Sequence, residues 1–80
     1  MSESVEITYQ YLLKKYNRTI IGKKELAHEL AISIGTVDAY IAKGVGLPPF
    51  RKMGEAKNAR VTFRIRDVAI FLNADFNETM

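Results

Sequence analysis

Apolar residues recur along this 80-residue chain with two different periods. Val5, Tyr9, Leu12, Leu13 and Tyr16 fall at helical spacing, which predicts an amphipathic helix over 3–16. Asn17 and Arg18 follow as a turn, because asparagine tolerates a left-handed backbone. Ile20 and Ile21 read as a short buried connector. Gly22 opens "KKELAHEL", where Leu26, Ala27 and Leu30 make the inner stripe and Lys24, Glu25, His28 and Glu29 stay outside it. "AIS" then breaks the helix. Ser33 is suited to cap the next one, since its hydroxyl can accept from a free amide of the first turn. In "IGTVDAYIAK", Ile34, Val37 and Ile41 are expected to face inward. Thr36, Ala39 and Lys43 point the opposite way, with Gly35, Asp38 and Tyr40 on the flanks. Gly44 is a plausible C-cap, and Pro48-Pro49 force an extended exit.

After the prolines the period changes from helical to two. In "RKMGEAKNARVTFRIRD", Val61, Phe63 and Ile65 alternate with Thr62, Arg64 and Arg66, which predicts a strand. With the run from Phe50 it forms a hairpin whose turn lies around Gly54 to Asn58. A last helix, "RDVAIFLN", presents Val68, Phe71 and Leu72 on the side of Ile65 and turns Ile70 outward.

The expected fold is therefore mainly α with a small β-hairpin. It is a single winged helix-turn-helix domain over 1–80, preceded by an N-terminal helix. Its parts are the first helix at 3–16, the helix-turn-helix at 22–43, the wing at 50–65, the closing helix at 66–73 and a tail at 74–80.

Charge gives this arrangement a direction. The net charge is only +3, but all 12 basic residues fall in two blocks. One holds Lys14, Lys15, Arg18, Lys23 and Lys24. The other holds Lys43, Arg51, Lys52, Lys57, Arg60, Arg64 and Arg66, with Glu55 as the single acid among them. Such segregation favours a polyanionic partner. If the third helix enters a major groove, the hairpin lands near flanking phosphates or the minor groove, where its cations neutralise phosphate and release counterions. Arg51, Lys52 and Arg64 have a second reading, in which they brace the hairpin through Glu55 or Asp67. Exposed pairs of that kind contribute only ~0–1 kcal/mol. Lys23 and Lys24 lie at a helix N-terminus, where the dipole disfavours cations, so a reason outside the helix is expected, such as a phosphate.

The remaining chemistry is mostly exclusion. Hydrophobic content of 48% fits a globular chain, and no apolar run approaches a membrane span. "MSESVEITYQ" lacks a secretory pattern, and the chain has no cysteine; both fit a cytoplasmic setting. His28 has no partner at metal-ligand spacing, so neither a metal nor a cofactor is expected. No nucleophile, paired carboxylates or phosphate-cradling loop suggests an enzyme. Tyr9, Tyr11 and Tyr16 belong to the core or to an interface. Ile70, with Phe76 or the Tyr11 face, suggests self-association.

The run "IIGKKELAHELAISIGTVDAYIAKG…LPPFRK…ARVTFRIRDVAIFL" resembles the excisionase-type winged helix-turn-helix domains. These are small MerR-superfamily proteins that include phage excisionases and AlpA-like regulators. The resemblance spans Ile20 to Asn73. A weaker one, through "LLKKYNRTIIGKKELA" and "AKNARVTFRIRDVAIFLN", is to the phage-derived pyocin activator family. Both imply sequence-specific binding of double-stranded DNA by a non-enzymatic protein of a phage or mobile element. Excisionase-like members bind repeated sites cooperatively, bend DNA and set the direction of an integrase, and many control promoters. The chain departs from the family pattern at several places. Asp38 and Ala39 stand where an aromatic and an arginine are usual. Tyr40 replaces a frequent tryptophan, and its ring is expected against the wing. Ala31 replaces the turn glycine, and Val45-Gly46 are inserted before Leu47.

The DNA-binding residues expected on these grounds are Lys23, Lys24, Ser33, Gly35, Thr36, Ala39, Tyr40, Lys43, Arg51, Lys52, Lys57, Asn58, Arg60 and Arg64. Asp38 and Ala39 motivate the competing expectation, a protein-interaction module on the same scaffold that binds an integrase or a polymerase subunit.

Overall fold

The structure, a computed structural model, describes residues 3–54 and 60–74. The elements run α1 (Glu3–Tyr16), β1 (Ile20–Gly22), α2 (Lys23–Leu30), α3 (Ile34–Lys43), β2 (Phe50–Met53), β3 (Arg60–Arg64) and α4 (Ile65–Leu72). They form a small, mainly helical domain with one three-stranded antiparallel sheet in the order β1-β3-β2. This arrangement is compatible with a winged helix. Among the described residues no helix is long and apolar enough to cross a membrane.

Local chemistry sets the joints. Asn17 takes φ 54°, and its N–H bonds to Leu13 O at 2.8 Å, which ends α1. The backbone of Gly22 is extended, and its N–H donates to Glu25 Oε1 at 3.0 Å, so α2 starts with one orphan donor satisfied. At the other end Ala31 is left-handed, with φ 59°, and Ile32 N–H reaches back to Ala27 O at 3.0 Å. That is a glycine-type C-cap built without glycine. Ser33 Oγ accepts from Thr36 N at 3.1 Å and starts α3, while Gly44, at φ 77°, closes it.

The core is one cluster to which every helix and strands β1 and β3 contribute: Val5 and Leu12 of α1, Ile21 of β1, Leu26 and Ala27 of α2, Val37 of α3, Val61 and Phe63 of β3, and Ile65, Val68 and Ala69 of α4. Among the described residues no polar or charged side chain is buried. Each of the larger side chains stabilises the fold by about 1.5–3 kcal/mol on burial. Phe50 of β2 packs on Phe63, with ring centroids 5.9 Å apart and the planes tilted by 54°.

Several expectations are corrected. Ile20-Ile21 is not a connector but two of the three residues of strand β1, in which Ile21 pairs with Phe63 and Ile20 with Arg64. Ile21 is buried, whereas Ile20 is 47% exposed because the pleat turns it to the other face. Ile34, the first residue of α3, is 43% exposed rather than inward. Ile65 is the first residue of α4, not the last of the wing, and Arg64 is its N-cap. Ala69 joins the core, whereas Phe71 is only half-buried. Ile70 does turn outward and stays 48% exposed although α1 packs on α4. Most of the wing turn, with Glu55, Lys57 and Asn58, and the tail beyond Ala74, with Phe76, lie outside the described residues.

Candidate nucleic-acid interface

Helix α3 presents Ala39 and Lys43 to solvent, with Gly35 exposed beside them. Thr36, expected on the same face, is half-buried and serves the cap, its hydroxyl 2.9 Å from that of Ser33. Tyr40 is half-buried too. Gly46, at φ 85°, lies over its ring, and a Cβ there would stand 3.5 Å from the ring carbons. The inserted Val45-Gly46 segment thus supplies a contact for the ring that the sequence reading assigned to the wing.

The one acid of α3, Asp38, is held. Its Oδ1 lies 2.7 Å from Lys23 Nζ, both side chains remaining partly exposed. This pair supplies a reason, from within the protein, for a cation at the N-terminus of α2. It also ties α2 to α3. Lys24, the next residue, is exposed.

The sheet continues from this point. Gly22, which caps α2, pairs with Thr62, and Thr62 pairs with Arg51. Neighbouring strands lie about 5 Å apart, so Gly22 and Arg51 are separated by roughly 10 Å in one cross-strand row. The pleat then sorts the wing cations. Val61 and Phe63 enter the core on the helix side. Arg60, Thr62 and Arg64 therefore share the opposite, outer face, with Arg51 beside them. Lys52 is opposite Val61 and leaves the sheet on the helix side, exposed because β2 is an edge strand.

Three ion pairs are formed among the described residues: Lys23 with Asp38, Lys15 with Glu29 at 2.7 Å, and Arg64 Nε with Asp67 Oδ2 at 2.8 Å. The last is the bracing pair foreseen for Arg64. Lys24, Lys43, Arg51, Lys52 and Arg60 have no carboxylate partner among the described residues. No group of three or more His, Asp or Glu side chains among those residues is arranged to hold a metal ion.

Compared with known proteins, the chain matches no protein-family model, no curated protein and no solved structure.

Away from α3, the end of α1 is fastened to α2. Glu29 receives bonds from Lys15 Nζ and from the Tyr16 hydroxyl, and Lys15 Nζ also bonds Tyr11 Oη at 3.0 Å. Burial and the bond given to Glu29 push the Tyr16 phenol up to about 12. The Glu29 carboxylate raises Lys15 above the usual lysine range. Burial by itself raises the Glu29 carboxyl, but the Lys15 and Tyr16 bonds outweigh it and hold the group below its ordinary value. Neither this cluster nor the Lys23–Asp38 pair was legible in the sequence, since the partners lie 13 to 15 residues apart and meet only through tertiary packing.

Proposed function

We propose that this chain is a winged helix-turn-helix DNA-binding protein of a phage or mobile element, acting as an excisionase, a transcriptional regulator or both. One observation carries the reading: the serine-capped helix α3 shows Ala39 and Lys43 to solvent, and its single acid is already neutralised by Lys23. A helix with that surface can approach a duplex without like-charge repulsion at its centre. Lys43 and Thr36 read bases or adjoining phosphates, and Ala39 offers apolar contact to a thymine methyl. Lys24, Lys52 and Arg60, with Lys57 and Asn58 of the wing turn, hold the backbone. Binding to repeated sites then brings copies of the protein side by side, where an integrase or the transcription machinery can meet them.

The test is a salt series of binding to a random duplex. Under this reading log affinity falls linearly with log salt, by ~0.9 per phosphate contact. Absence of binding at low salt would instead favour a protein-interaction module. Footprinting on DNA flanking the protein's own gene would then locate the preferred site.

A further inference from the structure

The outer face of the sheet is not flat. Where β2 begins and β3 ends, a cleft of about 430 Å3 is lined by Ile20, Pro49, Phe50, Arg51, Thr62, Arg64 and Asp67. Its volume lies in the range of small binding pockets and admits one or two side chains. Three lining residues are apolar, and Ile20 stands 47% exposed among them. Two are arginines. Arg51 has no carboxylate partner among the described residues. Arg64 gives its Nε to Asp67, whose carboxylate is only 14% exposed, while the Arg64 side chain is itself 74% exposed. That leaves the terminal guanidinium donors of Arg64 accessible, and guanidinium forks match carboxylate geometry.

The cleft is poorly placed for the duplex. It lies at the body end of the hairpin, three residue pairs from the Met53–Arg60 pair nearest the wing turn, a distance of roughly 10 Å. It includes a carboxylate, Asp67 of α4, and an exposed isoleucine. A phosphate run gains nothing from the apolar floor.

We propose that this cleft docks an acidic peptide segment of a partner protein. The segment seats an apolar side chain against Ile20 and Pro49, and a neighbouring carboxylate reaches Arg51 and Arg64. The lining includes no residue of α3, so docking leaves that helix free for a duplex.

The test uses the full chain and a labelled pool of hexapeptides alternating Glu or Asp with Leu, Ile or Phe, followed by fluorescence anisotropy. Saturable binding is expected. Both Arg51→Glu and Ile20→Ser should weaken it about tenfold or more, and both sites are exposed, so melting temperature should hold. Ile20→Ser should leave duplex binding unchanged. The proposal is overturned if the pool does not bind, or if a Lys/Leu pool binds equally well. Competition by duplex DNA, with Ile20→Ser weakening DNA and peptide alike, would also overturn it and assign the cleft to the nucleic-acid surface. Because duplex affinity is read separately, failure of the docking proposal leaves the DNA reading standing, and the reverse.

Discussion

Lys23 and Asp38, 15 residues apart in the chain, meet at 2.7 Å between α2 and α3. An acid at the centre of a DNA-facing helix would ordinarily repel phosphate. If α3 faces a duplex as proposed, pairing with Lys23 withholds both that repulsion and the attraction of the lysine.

Asp38→Asn should therefore raise affinity for random duplex DNA, by about two- to fivefold, and steepen the log–log salt slope by up to ~0.9 as Lys23 becomes free for a phosphate. Stability should change by less than about 1 kcal/mol, because the pair is exposed. Anisotropy titrations at several salt concentrations check this. A fall in affinity would show that the carboxylate itself contacts a base, such as the amino group of cytosine.

Ala31 bears a left-handed backbone at φ 59°, which costs an L-residue ~1–2 kcal/mol. Ala31→Gly removes that strain but adds freedom to the unfolded chain. The net expectation is a gain near 1 kcal/mol, or ~4–8 °C in melting temperature for a domain of this size. Denaturant unfolding should show a higher midpoint with an unchanged slope.

Ser33 separates cap from contact. Ser33→Ala removes the acceptor for Thr36 N and should cost about 1 kcal/mol. Ser33→Asp keeps an acceptor and should preserve stability, while its added charge weakens duplex binding. If the aspartate variant binds as tightly as the parent, the first turn of α3 does not approach phosphate.

Glu29 sets an acid limit. Its carboxyl lies below its ordinary value of 4.5 in the folded protein, so the unfolded chain takes up a proton first as pH falls. The resulting stability is fully present above that ordinary value and is lost as pH falls through the depressed one. Glu29→Gln should be less stable than the parent at neutral pH, and the gap should close at acid pH. Parallel melts from pH 7 to pH 3 read the convergence, and a constant gap would contradict it.

The elements that stand on local chemistry were legible in the sequence. Asn17, Ser33 and Gly44 mark their joints because each acts on amides or carbonyls within a few residues. The alternation from Val61 to Phe63 marks β3 because burial on one face imposes it. Strand β1 was hidden. Its three residues are too few to show a period, and they become a strand only by pairing with β3, with partners 40 to 44 residues on. The outward turn of Ile20 follows from that pairing and was hidden with it. Ile34 misled because helical phase assigns a face, not how far the first turn is covered. For the site, exposure of Ala39 and Lys43 followed from the apolar stripe opposite them. The division of Arg51 and Arg64 from Lys52 needed the register of β2, which the hairpin sequence leaves open.

The strand order has a consequence for how the chain acquires its shape. β3 is last in sequence yet lies in the middle, so a growing polypeptide that ends before Arg60 holds two outer ribbons and nothing to join them. Ile21 and Phe50 then have no Phe63 to lie against. On the ribosome, assembly of the sheet must wait until Arg60–Arg64 has been made. A stop codon or frameshift in the hairpin would leave sticky edges, prey for proteases, in place of a smaller working domain.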